Sequence, residues 1–415
     1  MAGKTGILSG RDTVRSTTDL LLLVLMGFLV FSPFSSILVM DFMNIPVSLP
    51  ELLFLPFLWI FRKRFYFSRP GTVRTAVFLL IWASLVLVSV IAGNYSTFTV
   101  LSSSRTYLLL IISYLFFSRQ NNVSIDDVMY VSLGSVTGWL FSSLYAIVSF
   151  LAGNIDEIAR TGNMLAIPLL LATAIYRKNY RILIPALVLC TILSVTAGMR
   201  RQIAVFAVSL FLSWLFISAG SMKQFLKQSS IVTLTAVLFF LFLPSIERWI
   251  MENIPVLYYR VFEKLNMLIS GDISHADSIR VTEIKNIFGS LEDYILPQGF
   301  VSRRTLTDGT GRFIDFPLSE LFYMFGIVVA VILLAYLLFS AWSCFRNYLA
   351  SRDESVVFVI LALVMFMLLF LEGTFLSSTY VAPVTGYCLG RLKYFSGISA
   401  EGLFTSTKVN LHGYV

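Results

Sequence analysis

Charge is scarce in this chain: Asp, Glu, Lys and Arg make up 13% of its 415 residues, against about 25% in an ordinary soluble domain. Hydrophobic residues fill the gap at 57%, with a mean hydropathy of +0.83, which excludes water as the main solvent. Cysteine is nearly as rare. Of three cysteines, Cys190 and Cys388 fall inside apolar runs and Cys344 sits at a basic helix end, so neither a disulfide framework nor a metal-ligand spacing is present. The two histidines add little: His275 reads as a solvated loop residue and His412 as part of the terminal tail. No acidic cluster has metal-binding spacing, and the expectation is that no metal or cofactor is used. No period of 20–50 residues recurs, and no matched pair of broken helices marks the inverted repeats of many transporters.

What is present is a series of apolar runs. A bilayer core of about 30 Å takes about 20 apolar residues per helix, and unpaired backbone groups are too costly in lipid for anything but helices or closed barrels. The runs lie at 19–40, 46–61, 74–92, 99–117, 128–151, 163–176, 181–198, 202–218, 229–244, 317–339, 355–371 and 376–390. The fold class expected is therefore all-α, a polytopic integral membrane protein of about twelve transmembrane helices. Residues 1–244 hold nine spans, 245–316 form one large outer loop, 317–394 hold three more spans, and 395–415 form a tail. Runs 46–61 and 376–390 contain Pro46, Pro50, Pro56 and Pro383 and are expected to be kinked or partly re-entrant. The basic start (Lys4, Arg11, Arg15) leads into a run too long for a signal peptide and without a small-residue cleavage pattern, so it reads as an uncleaved first span.

A net charge of +8 would suggest a nucleic-acid partner in a soluble chain. Here the basic residues cluster in short loops between runs, the bias that sets membrane orientation, and no nucleic-acid partner is expected. The bias places both termini in the cytoplasm and the 245–316 loop outside. Within that loop, Leu257, Val261, Leu265 and Leu268 recur at helical intervals beside Trp249, Tyr258 and Tyr259, the pattern of a helix lying in the bilayer interface. A second loop helix is expected around Val281, Ile284 and Phe288, followed by a turn-rich run from Pro297 to Gly311.

Against this bias, a few cations lie at outer ends of spans. Arg200 and Arg201 occupy the break between two runs; Arg105 sits in the run 99–117 after three serines; Arg160 lies in an outer loop. Each has a plain reading, snorkelling toward headgroups or solvation in the loop, and a functional one as a guanidinium fork that binds phosphate bidentately. Arg280 opens the second loop helix, where the helix dipole would favour an acid, which hints at an anionic ligand. Asp315 and Glu320 flank the start of the span near Pro317. A carboxyl desolvated there suits a general base that takes a proton from a hydroxyl, while the plain reading is a helix N-terminal acid that satisfies free N–H groups.

Three stretches in order, "SVTAGMRRQIAVFAVSLF", "DSIRVTEIKNIFGSLEDYILPQGF" and "DFPLSELFYMFGIVVAVILLAYLL", resemble the Wzy-type O-antigen and capsular polysaccharide polymerases, relatives of the O-antigen ligases. The likeness covers about residues 150–390. Arg200 or Arg201 matches the arginine that opens a span after an outer break, Arg280 matches the arginine of the loop helix, and Ile295 to Phe300 match the turn that follows. That turn carries Gln298 and Gly299 where the family often has a second glycine. Asp315 stands where the ligases have a histidine, which favours polymerase over ligase and leaves the identity of the base open.

The resemblance implies polyprenyl-diphosphate-linked oligosaccharides as substrates, joined at the outer face of the bacterial cytoplasmic membrane. A polysaccharide chain-length regulator is the implied partner. Arg200, Arg201 and Arg280, with Arg105 and Arg160 nearby, would hold the diphosphate, and Asp315 or Glu320 would activate the acceptor. A ligase, a lipid-linked oligosaccharide flippase and a purely structural or sensory membrane component are the competing readings. The orientation is testable: a cysteine placed at Thr307 should react with an impermeant thiol reagent in cells whose outer membrane is permeabilised, and protection there would overturn both topology and site.

Overall fold

The computed structural model describes residues 17–34, 39–42, 45–60, 72–93, 97–119, 123–151, 162–197, 200–253, 294–300, 317–371 and 378–409. The described chain is mostly helical. In order, α1 covers Thr17–Val30, followed by strands β1 (Val39–Phe42) and β2 (Ile45–Ser48), then α2 (Leu49–Ile60), α3 (Thr72–Gly93), α4 (Thr97–Phe117) and α5 (Ile125–Leu151). Next come α6 (Ala166–Tyr176), α7 (Tyr180–Ala197), α8 (Arg200–Ser218) and α9 (Met222–Asn253). The last four are α10 (Pro317–Phe325), α11 (Ile327–Ser351), α12 (Ser355–Leu371) and α13 (Ala382–Val409). Among the described residues, four stretches are long and apolar enough to cross a bilayer, Thr72–Ile91, Ile125–Val148, Arg201–Ser218 and Ile327–Ser351, and shorter apolar helices accompany them.

Three features depart from an uninterrupted helix per apolar run. The first run, 19–40, ends as a helix at Val30, and Val39 already belongs to an antiparallel hairpin in which Val39 pairs with Ser48 and Phe42 with Ile45. The all-α expectation is corrected to that extent. The run 317–339 is split at Gly326, whose φ of 76° lies in the left-handed region. A Cβ there would stand 2.6 Å from the Ile295 carbonyl oxygen, so the break and the close approach of residues 294–300 both need glycine. The last helix starts only at Ala382 and continues past 394, where the final span was expected to end.

Packing among the helices rests on small residues. Gly27 of α1 and Gly134 of α5 face each other's helix so closely that a Cβ on either would collide with a backbone carbonyl of the other, Val131 and Val24 respectively. Gly386 and Gly390 of α13 do the same against Leu110 and Tyr114 of α4. Both Gly134–Gly138 and Gly386–Gly390 have the four-residue spacing by which membrane helices approach closely without a hydrophobic driving force. Ser113 on α4 then donates to the Pro383 carbonyl at 2.6 Å, a hydrogen bond between the two helices that the close approach permits.

A chain of contacts fixes which ends of the helices lie together. Tyr176 at the end of α6 donates to the Arg352 carbonyl, Tyr348 near the end of α11 donates to Ile217 near the end of α8, and Arg391 pairs with Glu354 at 2.7 Å. Arg201 lies at the other end of α8, where it reaches the Leu371 carbonyl at the far end of α12.

The glycine contacts give a stability test. A Cβ at Gly390 stands 2.9 Å from backbone atoms at the end of α4, whereas one at Gly397 meets nothing within 4 Å. Gly390→Leu is expected to cost about 1–3 kcal/mol through overpacking, seen as a Tm several degrees below that of Gly397→Leu in detergent. Equal Tm values would show that the α4–α13 approach does not support the fold.

Candidate functional site

Glu320 lies in the first turn of α10, and it is 6% exposed. A buried carboxylate needs donors, since desolvating an unpaired charge is costly. The Tyr107 hydroxyl, from the middle of α4, donates to Glu320 Oε1. Tyr107 in turn packs its ring on Phe300, with centroids 4.9 Å apart and planes tilted by 37°. Three distant stretches of sequence therefore meet at one point: α4, the 294–300 segment and α10.

The backbone around Gly326 builds that meeting. Breaking the helix frees the last carbonyls of α10, and the crossing segment satisfies two of them: Gln298 N–H donates to the Tyr323 oxygen at 2.9 Å and Gly299 N–H to the Met324 oxygen at 3.3 Å. Gly299 has a φ of 80°, and a Cβ there would run into the Ser89 hydroxyl and the Leu85 carbonyl of α3. Phe300 is thereby fixed between α3, α4 and α10, where it is 2% exposed. The "ILPQGF" run, singled out in sequence as a turn, is the strap that holds the carboxylate's surroundings.

Beside this point lies a groove of about 450 Å³, bounded by α3, α4 and α10–α13, and its lining is almost wholly apolar. Leu85, Tyr107, Phe300 and Met324 close the end next to Glu320; Tyr114, Tyr336 and Lys393 lie at the opposite end. Ile81, Val329, Leu333 and Tyr336 line the groove and are also exposed, so it opens sideways between α3 and α11.

The candidate cations fall in separate places. Arg105 is two residues from Tyr107, which on a helix of 3.6 residues per turn puts the side chains on nearly opposite sides. Its Nε pairs with Glu51 Oε1 at 2.9 Å. Glu51 also accepts from the Ser48 N–H at 2.7 Å and the Ser48 hydroxyl at 2.9 Å, and that hydroxyl lies 3.0 Å from the Thr379 hydroxyl. The S-x-x-E spacing of Ser48 and Glu51 is a helix-start capping box, so the arginine expected to meet a phosphate is held by a carboxylate that caps α2. Arg201 Nη1 donates to the Leu371 carbonyl at 3.4 Å, a cation at the C-terminal end of α12, and Arg200 opens α8. Arg160, Arg280 and Asp315 lie outside the described residues.

Tyr107 is the residue that sequence reasoning missed. Its only signal is a polar group in an apolar run two positions after Arg105, and nothing in spacing tells a hydrogen-bonded tyrosine from one at the bilayer interface. Among the described residues, no group of three or more His, Cys, Asp or Glu could hold a metal ion. No known protein family and no curated protein matches the chain.

The Arg105 assignment can be checked by a double-mutant cycle on thermal unfolding. If the ion pair with Glu51 is the main engagement of Arg105, then Arg105→Ala and Glu51→Ala are non-additive, with a coupling of about 0.5–3 kcal/mol. Additive losses would return Arg105 to the set of ligand-binding candidates.

Proposed function

We propose that the chain is a multi-pass membrane glycosyltransferase of about twelve spans, with both termini cytoplasmic. It polymerises polyprenyl-diphosphate-linked oligosaccharide repeat units into O-antigen or capsular polysaccharide at the outer face of the bacterial cytoplasmic membrane. The observation that carries this reading is Glu320: a buried carboxylate, oriented by Tyr107, at one end of an apolar groove that opens sideways between apolar helices. A soluble substrate needs no such neighbour, whereas a glycan carried on a lipid arrives from the side with its reacting sugar at the membrane edge.

In this reading Glu320 takes the proton of the acceptor sugar hydroxyl as that oxygen attacks the anomeric carbon of the donor. The bond from the anomeric carbon to the diphosphate breaks, and polyprenyl diphosphate leaves with the bonding electrons. Arg200, Arg201 and Arg280 offset its growing negative charge, which fixed donors in a water-poor site do without reorganisation. Asp315 is the alternative base. Asp315 in the place of the ligase histidine supports polymerisation over ligation, and a chain-length regulator is the proposed partner.

Amide replacement tests the base. Glu320→Gln keeps shape but cannot take a proton, and loss of a general base costs about 10²–10⁴ in rate. Polymerisation of a lipid-linked repeat unit in vitro should fall by that range in Glu320→Gln at normal expression and unchanged gel-filtration profile. Asp315→Asn should stay close to wild type, because Asn caps a helix nearly as well as Asp. Full activity in Glu320→Gln with loss in Asp315→Asn would move the base to Asp315; full activity in both would remove the carboxylate mechanism. In a strain without the protein, glycan of a single repeat unit supports a polymerase, absence of surface glycan a flippase, and polymer left on its lipid a ligase.

A further inference from the structure

The end of the groove away from Glu320 has a different character. Lys393 comes from α13 and stands with its Nζ 5.7 Å from the centre of the Tyr336 ring. Tyr114 packs on Phe78 at 5.3 Å between ring centres, and both line the groove with Tyr336. Arg74 sits one turn before Phe78 at the start of α3. Lys393 and the phenols Tyr114 and Tyr336 thus share one end of the groove, and Arg74 stands one turn before its lining residue Phe78. The same end of the molecule carries the ion pair of Arg391 with Glu354, but among the described residues neither Arg74 nor Lys393 has a carboxylate partner.

Length decides what fits. Along α11 the lining runs from Val329 to Ser340, about 16 Å at the helical rise, close to half of a hydrocarbon core of about 30 Å. An apolar groove one leaflet deep, open sideways and ending in cations, matches one chain of a single lipid with its phosphate at the cationic end. That lipid cannot be the glycan donor of the proposed function, whose diphosphate must lie at the Glu320 end.

We infer that the groove holds an anionic phospholipid of the phosphatidylglycerol type, drawn from the leaflet on the Lys393 side. Its acyl chain lies along α3 and α11 and its phosphate between Arg74 and Lys393. The exclusion of the glycan donor rests on the proposed function, and the choice of an anionic phospholipid rests on the groove and its cationic end. Phenol hydroxyls of Tyr114 and Tyr336 can donate to phosphate oxygens that the cations attract. The sideways opening lets the lipid enter without unfolding any helix.

The test uses the full chain in nanodiscs that contain phosphatidylglycerol or phosphatidylcholine with a diazirine in the acyl chain, at equal mole fraction, followed by peptide mapping. A basic residue near a membrane surface favours an anionic lipid by about fivefold, so peptides with Val329 and Leu333, which line the apolar stretch, should be labelled at least about fivefold more by phosphatidylglycerol. Labelling of the outward face of α3 at Leu80 and Leu87 should show much less preference. The variant Arg74→Gln/Lys393→Gln should lose the preference at the groove. Ser340→Phe, which fills the groove and leaves the cations in place, should lose groove labelling by both lipids. Equal labelling of the groove by the two lipids, or a preference that survives removal of both cations, would each overturn the assignment.

Discussion

In a bilayer, a backbone N–H or C=O without a partner costs several kcal/mol, and water is not there to supply one. That constraint bears on the described helices, four of which hold stretches long and apolar enough to cross a bilayer. Helices satisfy it within themselves, and hydroxyls inside them turn back to their own carbonyls: Ser132 donates to Val128, Thr173 to Leu169 and Ser194 to Cys190. The exceptions are where function can be built, because a helix can break in lipid only if other protein groups take over its free ends. At Gly326 the strap 294–300 does so, and the same two backbone hydrogen bonds that make the break tolerable bring Phe300 against Tyr107 and Tyr107 against Glu320.

Much of this was legible from composition and period. Runs such as 74–92 and 355–371 leave no choice but a helix, and α3 and α12 lie within a few residues of them. The helix start at Pro317 and the desolvation of Glu320 just inside it were also legible, because an acid in an apolar run at a helix start is rare enough to notice. The break at Gly326 was not, since a glycine within "FGIVV" costs a membrane helix little and its need arises only from the Ile295 carbonyl opposite. The first run misled for a related reason. Ile37 to Met40 are as apolar in sequence as the helix before them, but the strand that Val39 begins is fixed by its pairing with residues 45–48, which no local pattern encodes. The spacings Gly134–Gly138 and Gly386–Gly390 were available in the sequence and carried the α1–α5 and α4–α13 contacts, an instance where a short motif says more about packing than hydropathy does.

The charges divide by the same logic. Arg391 is 3% exposed and lies over the Tyr394 and Phe395 rings while it pairs with Glu354 at 2.7 Å; Arg177 pairs with Asp126 at 3.0 Å. Sequence treats both as topology signals, but the fold gives each a partner that ties helices together. Arg105 shows the same conversion at the opposite end. Orientation statistics identify which cations are out of place, and only the fold tells whether a carboxylate such as Glu51 has already answered the anomaly.

Glu320 stands in a different setting from the acids at either end. Glu51 faces a guanidinium, and Glu354 another, so each is neutralised by charge across a helix contact. At Glu320 the hydrogen bond from Tyr107 comes from a neutral donor, and it orients the carboxylate. Phe300, Leu321 and Met324 are buried too, and Phe300 packs on the tyrosine that donates to Glu320. In the proposed reaction a general base must lie within hydrogen-bond reach of the proton it takes, and a carboxylate held by Tyr107 has a fixed position from which to do so. The strap through Gly299 thus serves two ends at once: it completes the backbone pairing that lets α10 stop at Phe325, and it sets Phe300 as the wall against which Tyr107 is held toward the carboxylate.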